Sequence, residues 1–296
     1  MSESQSSAQS KPDFSKVSYL EIGPEQAGQR LDNFLIRHLK GVPKSRIYNL
    51  LRKGEVRINK GRVKPDTRIK EGDMVRIAPI RTAERGSPQL PGLQLKRYLA
   101  ENILFEDDGL LIINKPSGLA VHGGSGISLG AIEALRAERP NARFMELVHR
   151  LDRETSGCLM LAKKRSVLLE LQQAMQRNQV EKHYMALVKG QWPKGKSTIN
   201  APLLKNQLSS GERIVRVDAA GKASVTHFAI AQKFKQATLL QVKLETGRTH
   251  QIRVHCQFSN QPIAGDPKYG DGHFNESLRD AGLKRLFLHA SNLRFR

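Results

Sequence analysis

Apolar positions between residues 18 and 81 follow two spacings, which together predict a small unit of helices and short strands. One helix presents an apolar face at steps of three and four residues, formed by Leu31, Phe34, Leu35 and Leu39. A second helix covers SRIYNLLRKG and ends at Gly54, before short strand patterns in VRIN and MVRIAPI. Residues 1–17 are rich in Ser and Gln and carry no such pattern, so we expect a disordered tail.

A larger domain is predicted for residues 101–296, after a linker at 82–100 that contains Gly-Ser-Pro and Pro-Gly. Its β-rich runs include LLIINK, GCLMLAKK, HYMALVKG, ATLLQVKL and IRVHCQF, and helices are predicted near 129–138 and 165–178. The strands cluster without a regular alternation with helices. This order favours an α+β fold around a mixed, largely antiparallel sheet.

The charge of the chain points to a polyanionic partner. Lys and Arg number 49 against 28 Asp and Glu, a net charge of +21. Nucleic acid fits such a balance best, since we find no basic amphipathic helix with Trp or Phe on its apolar face that would favour an anionic membrane. No apolar run has the length of a membrane span. With two cysteines and no secretory signal, we expect a cytoplasmic protein, and by default a monomer.

Basic residues are concentrated in the N-terminal unit, where fifteen Lys and Arg between residues 18 and 81 face seven Asp and Glu. The candidate RNA-binding residues lie on the second helix and the loop after it: Lys44, Arg46, Arg52, Lys53, Arg57, Lys60 and Arg62. Such a stripe can contact a phosphate backbone, although a solvated helix face is the alternative. The motifs RLDNFL, SRIYNLLRKGEVRIN and KPDTRIKEGD resemble an S4-type RNA-binding domain, which implies recognition of folded RNA.

The segment ELVHRLDRETSGCLMLAKK carries the first candidate for chemistry. It places Asp152 between Arg150 and Arg153 in a polar, turn-rich stretch. A carboxylate beside positive charge stays ionised, which suits a nucleophile. From the residue types alone, an Asp that caps a turn and pairs with an Arg is the simpler interpretation.

The segment LETGRTHQIRVHCQF is the second candidate, and its alternation from Gln251 onward predicts a strand. His250 and His255 would then lie on opposite faces, without an acidic third ligand, so the spacing disfavours a metal site. The glycines of HGGSGISLG lack the GK[ST] of a phosphate loop, and the chain has no GxSxG elbow. We expect these glycines to form a flexible loop at the rim of an active site.

Together these segments resemble the RluA-type family of pseudouridine synthases. The matching stretches are INKPSGLAVHGG, HRLDRETSG, EKHYMALVKG, TGRTHQIRVH, PIAGDPKYG and RLFLHA, in that order across residues 101–290. The resemblance implies an S4 domain followed by a catalytic domain that needs neither a metal nor a cofactor. It also implies isomerisation of uridine to pseudouridine in large-subunit (23S) ribosomal RNA.

The resemblance assigns roles to individual residues. Asp152 matches the essential aspartate, and Tyr184 matches the tyrosine that stacks on the target base and helps to remove its C5 proton. Arg253 matches the basic residue that keeps the aspartate ionised. Arg150 matches an arginine that enters the space left by a flipped base. Two further residues are expected to line the pocket, Ile252 and His122.

Two other functions remain open at this level. One is an RNA-binding assembly factor with an inactive catalytic domain, and the other is a nucleoside hydrolase that uses Asp152. Members of the family usually continue after RLFLHA with a further turn and strand, whereas this chain stops at Arg296. We therefore expect a shortened C-terminal end, in which a missing terminal strand leaves a sheet edge or a core face exposed.

Overall fold

The computed structural model describes residues 16–39, 42–80, 91–123, 129–207 and 213–295. It divides into two units, Met1–Pro88 and Gln89–Arg296. Residues 1–15 of the predicted tail lie outside the described residues. Residues 124–128 of the predicted glycine loop HGGSGISLG also lie outside them. Within the described ranges, no helix is both long and apolar enough to cross a membrane.

The N-terminal unit combines two helices with a small antiparallel sheet. Its elements are β1 (Ser18–Glu21), α1 (Leu31–His38), α2 (Lys44–Lys53), β2 (Val56–Ile58), β3 (Gly61–Arg62) and β4 (Met74–Ile77). The strands pair in the order β1-β4-β2-β3. The helices bury the residues that their spacing predicts, including Phe34 and Leu35 on α1 and Ile47 and Leu50 on α2. α2 ends where Gly54 takes a left-handed conformation with φ of 71°.

The second unit is built around one large sheet. Its elements, in chain order, are α3 (Leu93–Glu101), β5 (Ile103–Glu106), β6 (Leu110–Lys115), α4 (Ala131–Glu138), β7 (Glu146–Leu147), β8 (Ser156–Ala162), α5 (Arg165–Gln176), β9 (Glu181–Lys189), β10 (Thr198–Asn200), β11 (Leu203–Gln207), β12 (Arg213–Val217), β13 (Val225–Lys233), β14 (Ala237–Leu244), α6 (Gln251–Phe258), α7 (Gly272–Asp280) and β15 (Leu288–Arg294).

The sheet runs in the order β10-β13-β14-β9-β15-β8-β6-β5, with β7 paired to β8 and a separate hairpin of β11 and β12. β15 and β8 are parallel, and the neighbouring pairs are antiparallel. The predicted mixed, largely antiparallel sheet is therefore confirmed. Alternate residues of β6 pack on opposite faces, Leu111 against α3 and α4, and Leu110 against α5. Burial of both faces explains why the first four residues of LLIINK are all apolar.

The prediction of a strand from Gln251 onward is wrong, because residues 251–258 form helix α6. Ile252 and Val254 favour strands as isolated residues, but tertiary packing overrides that preference. The helix is buried on nearly all sides, from Gln251 to Cys256, so the sequence carries no polar face with a helical period. Arg253 and His255 therefore lie on a helix rather than a strand, and His250 is the N-cap that precedes it.

Two further expectations differ from the structure. The second half of the predicted linker contains α3, for which Gly92 is the N-cap and Leu99 is a buried core residue. Pro91 and Gly92 therefore mark the start of a helix rather than part of a linker. β15, at the C-terminal end of the chain, lies inside the sheet between β9 and β8, so it does not form the exposed edge that we expected. The shortened C-terminal end itself stays a prediction.

Candidate active site

The turn that carries Asp152 is fixed by the residues on either side of it. After Asp152, the backbone N–H of Thr155 donates to the Asp152 carbonyl at 3.2 Å. Before it, the ring Nε2 of half-buried His149 accepts the backbone N–H of Met160 at 3.1 Å. Burial lowers the pKa of His149 to about 4, so this ring stays neutral and acts as a fixed acceptor. The turn is thereby attached to strand β8.

Gly157 explains the glycine of the HRLDRETSG motif. Its backbone has φ of 110°, and a Cβ at this position would collide with the carbonyl oxygen of Ala290. This close approach joins β8 to β15 directly after the Asp152 turn. Only glycine allows both the backbone angle and the contact.

Lys115 connects a second loop to the same turn. Its ammonium is fully buried and donates to three carbonyl oxygens, those of Pro116 at 2.8 Å, Leu119 at 2.8 Å and Arg153 at 3.0 Å. Burial lowers the pKa of Lys115 to about 8, against the opposing charges of Glu154 and Asp152. The three donors of the ammonium are thus used to position backbone next to the candidate nucleophile.

Asp152 faces a cavity of about 410 Å³. Its side chain is 26% exposed, so the carboxylate can meet a ligand. The cavity lies between the Asp152 turn, strands β9, β14 and β15, and the N-terminal end of α6, and its lining includes Arg150, Leu151, Lys182, Tyr184, Leu244, Arg248, His250, Ile252, Arg253 and Leu288. The volume is within the range of ordinary small-ligand sites.

Arg253 reaches Asp152 from the floor of the cavity, with 3.6 Å between Nη1 and Oδ2. Its main partner is Asp266, whose carboxylate accepts from Arg253 Nε at 2.8 Å and from Nη2 at 2.7 Å. Burial opposes both charges, but these hydrogen bonds outweigh it, so the pKa of Arg253 is raised and that of Asp266 is lowered. Arg253 is therefore held by one buried carboxylate while its remaining nitrogen points to the candidate nucleophile.

Tyr184 and Ile252 form the apolar part of the cavity. Tyr184 lies on β9 and is 8% exposed, and Ile252 on α6 is 4% exposed. Burial, followed by the negative charge of Asp152, raises the pKa of the Tyr184 hydroxyl, so the phenol is protonated. An aromatic ring beside an aliphatic side chain provides a surface on which a flat base can stack.

His250 is a cavity residue whose role sequence reasoning missed, since it was considered only as a metal ligand. Its Nε2 lies 4.0 Å from Asp152 Oδ1, and its Nδ1 is 2.8 Å from the hydroxyl of Tyr269. His255, in contrast, is buried on α6 and uses its two ring nitrogens toward Thr226 and Ala201. Among the residues that the structure describes, no group of three His, Cys, Asp or Glu side chains could hold a metal ion.

Comparison with known proteins identifies the domain that contains this cavity. The family model described as RNA pseudouridylate synthase matches residues 109–258, which include the Asp152 turn, Tyr184 and Arg253. The chain belongs to the RNA pseudouridylate synthase family. A model of the S4 domain matches residues 29–75, so the resemblance of the N-terminal unit is also confirmed.

Similar proteins agree with this assignment. The chain is 56% identical over 280 residues to the "Ribosomal large subunit pseudouridine synthase C" of Pasteurella multocida (strain Pm70), covering 94% of this chain and 86% of that protein. It is 55% identical over 288 residues to the protein of the same name from Escherichia coli (strain K12), covering 96% and 90%. The structure of "Human RNA Pseudouridylate Synthase Domain Containing 4" is 28% identical, with a TM-score of 0.56, and covers 68% of this chain and 87% of that one.

The synthase domain brings together five of the predicted site residues around one cavity: Arg150, Asp152, Tyr184, Ile252 and Arg253. His122 is not among the residues that line it. The His122 side chain is exposed, and its Nδ1 lies 2.8 Å from the carbonyl of Gly123. Arg150 is exposed at the cavity, where its guanidinium is available to a polymer.

A second cavity, of about 450 Å³, adjoins the first in the synthase domain and shares Gly247 and Arg248 with it. Two exposed lysines line it, Lys205 on β11 and Lys222. In the S4 unit, the seven predicted RNA-binding residues on α2, β2, β3 and the turn between these strands are all exposed. Both units thus present cations of the kind that contact phosphates.

Proposed function

We propose that this chain converts specific uridines of large-subunit ribosomal RNA to pseudouridine, with Asp152 as the attacking carboxylate. The observation that carries the proposal is the contact of Asp152 with buried Arg253 at the floor of a cavity that also presents Tyr184. The family assignment supports the reaction class. The printed names of the similar bacterial proteins support the large ribosomal subunit as the source of the RNA.

The reaction breaks the N1–C1′ bond, turns the uracil and joins its C5 to C1′. A stacked base cannot turn, so the nucleotide must first leave the helix, at a cost of a few kcal/mol. The 410 Å³ cavity can receive a single nucleoside, and stacking on Tyr184 offsets about 1 to 3 kcal/mol of that cost. In this proposal Arg150, which is exposed at the cavity, enters the space that the base leaves.

Two routes are compatible with this geometry. In the first, an Asp152 oxygen bonds to C1′ and uracil leaves with the electrons of the N1–C1′ bond. In the second, Asp152 removes a proton from C2′, uracil leaves, and a glycal remains. Both routes need an ionised carboxylate, which the guanidinium of Arg253 favours. Both routes are completed when C5 of the turned uracil bonds to C1′. In the first route this breaks the C1′–O bond and frees the Asp152 carboxylate, and in the second Asp152 returns the proton to C2′ of the glycal. The C5 proton is then lost while N1 gains one, and the Tyr184 hydroxyl is the candidate acceptor of the C5 proton once it has donated its own proton to the uracil.

The S4 unit supplies the sequence-independent part of RNA binding in this proposal. Its exposed residues Lys44, Arg46, Arg52, Lys53, Arg57, Lys60 and Arg62 provide a positive surface for a phosphate backbone. We propose further that the enzyme works as a cytoplasmic monomer without a metal or cofactor. Neither route above has a step that requires one.

The experiment that tests the function is isomerisation of uridines in a large-subunit rRNA transcript, with the wild-type chain beside Asp152→Asn. Release of tritium from [5-³H]uridine measures the rate, because C5 loses its hydrogen in the reaction. We expect release with the wild type and none with the variant, while both bind the RNA. Binding without release by the wild type would favour the assembly-factor alternative, and release of free uracil would favour a hydrolase.

A further inference from the structure

His250 occupies an unusual backbone position beside the candidate nucleophile. It precedes α6 as its N-cap, with φ of 56° and ψ of 18°, a left-handed conformation that few residues other than Gly adopt, although Asn, Asp and His adopt it more often than most. The backbone is held there by hydrogen bonds from Gln251 N to the Arg248 carbonyl at 3.2 Å and from Val254 N to the His250 carbonyl at 3.0 Å. Such a conformation persists where the surrounding structure imposes it, and it occurs often at functional sites.

The hydroxyl of Tyr269 determines which nitrogen of His250 carries the hydrogen. Tyr269 is 3% exposed, and its oxygen accepts the backbone N–H of Val215 at 3.1 Å. A buried hydroxyl also needs an acceptor for its own hydrogen, and His250 Nδ1, 2.8 Å away, is the acceptor in this arrangement. Nδ1 therefore has no hydrogen, and Nε2 is the N–H donor.

The donor nitrogen faces Asp152, since 4.0 Å separate Nε2 from Oδ1. Arg253 approaches the other carboxylate oxygen, Oδ2, at 3.6 Å. One donor thus stands beside each oxygen of the nucleophile. Both distances exceed those of hydrogen bonds, as is common in unliganded active sites whose contacts shorten when the substrate binds.

Burial favours the neutral form of His250. Burial lowers its pKa, and among the neighbouring charges Arg253 and Lys268 lower it further while Asp152 and Asp266 raise it. A neutral imidazole can donate one hydrogen bond without adding a second positive charge to that of Arg253. The imidazole of His250 can orient the Asp152 carboxylate, while the positive charge of Arg253 keeps that carboxylate ionised.

We propose that His250 is a positioning residue for the isomerisation: its Nε2–H donates to Asp152 Oδ1 and fixes the plane of the carboxylate, and Tyr269 locks the required tautomer. This inference rests on the proposed function. It makes Tyr269 part of the same chain of contacts, Val215 N–H to Tyr269 Oη–H to His250 Nδ1, which ends at the nucleophile. The cation–π contact of Arg253 with the Tyr269 ring, at 5.0 Å, depends on the ring alone.

A double-mutant cycle tests this chain of contacts. His250→Asn suits the left-handed backbone and removes the imidazole, and Tyr269→Phe keeps the ring below Arg253 and removes only the hydroxyl. We expect the single-turnover rate to fall roughly 10-fold to 100-fold in each variant, because a misplaced nucleophile loses rate rather than binding. The RNA dissociation constant should not change. The double variant should be no slower than His250→Asn alone, since Tyr269 acts through His250.

The matched controls are His273→Asn on α7 and Tyr98→Phe on α3, which are not among the residues lining the cavity. Both should keep the wild-type rate. The proposal would be overturned if the rate reductions of the two single variants multiply in the double variant, or if His250→Asn keeps the wild-type rate. It would also be overturned if the variants lose RNA binding alone. An inactive wild type would instead refute the proposed function, so the two failures are distinguishable.

A second measurement, which determines the tautomer of His250 in the wild type, does not depend on catalytic activity. Long-range ¹H–¹⁵N spectra of the histidine-labelled wild type report the tautomer of each ring, and the His250 signals are those lost in His250→Gln. We expect the hydrogen on Nε2 in the wild type and a mixture of tautomers in Tyr269→Phe. A hydrogen on Nδ1 in the wild type would overturn the proposal regardless of activity.

Discussion

Replacement of Asp266 by Asn tests whether a buried carboxylate holds Arg253 in its working position. Asp266 has a side chain that is 0% exposed and Arg253 one that is 5% exposed, and two hydrogen bonds of 2.8 and 2.7 Å join them. Oδ1 of Asp266 also accepts the backbone N–H groups of Lys268 at 2.9 Å and Tyr269 at 3.0 Å. An Asn that keeps its oxygen toward these donors must point its amide nitrogen at Arg253 Nε, so two donors face each other.

The expected cost follows from the burial of the pair. Removing one partner of a buried ion pair costs about 3 to 5 kcal/mol, because the other charge stays desolvated and unpaired. For a unit of this size, 1 kcal/mol corresponds to about 2 to 4 °C in melting temperature, so we expect a fall of roughly 6 to 20 °C. Arg253 should also lose its orientation toward Asp152. We therefore expect the isomerisation rate of the molecules that remain folded to be about 100-fold lower.

Thermal unfolding and single-turnover isomerisation, measured below the melting temperature of the variant, separate the two effects. Glu181→Gln is the control, because Glu181 pairs with Lys243 at 2.6 Å on the protein surface and should leave both quantities unchanged. If Asp266→Asn keeps the wild-type melting temperature and rate, the argument that Asp266 positions Arg253 is refuted.

Three other variants have defined outcomes. Lys115→Met removes the donor to three carbonyl oxygens, so we expect an unfolding free energy about 2 to 4 kcal/mol lower in urea titrations and a slower enzyme; unchanged stability would contradict the role of this buried ammonium. Tyr184→Phe keeps the stacking ring, so RNA should still bind while the rate falls at least about 100-fold; a wild-type rate would exclude the hydroxyl as acceptor of the C5 proton. The double variant Lys53→Gln and Lys60→Gln should make the slope of the logarithm of the RNA association constant against the logarithm of the salt concentration less steep by roughly 1.4 to 1.8. An unchanged slope would show that these residues of the S4 unit do not contact the RNA.

The sequence predicted those parts of the fold that local spacing determines. Leu31, Phe34 and Leu35 repeat with the period of a helix because one face of α1 is buried and the other is solvated. Helix α6 has no such difference between its faces, and its β-branched residues suggested a strand. The period of a helix can be recognised in the sequence only where one side of the helix meets water.

The residues of the candidate active site could also be predicted from the sequence only in part. Asp152, Tyr184 and Arg253 could be placed because each stands in a segment that resembles a family motif. Asp266 lies within such a segment too, yet its pairing with Arg253 depends on the fold, which brings together residues 13 positions apart. The link between His250 and Tyr269 is of the same kind. Partners of this sort follow from tertiary structure, because no local spacing specifies them.

The claim that Asp152 is the nucleophile of an rRNA uridine isomerase is tested most directly by mapping modified positions. Large-subunit rRNA transcript is treated with the wild type or with Asp152→Asn, and pseudouridines are located by carbodiimide adducts that stop reverse transcription. We expect stops at a small number of fixed uridines with the wild type and none with the variant, at equal RNA binding. Stops at the same positions with carefully purified Asp152→Asn would contradict it.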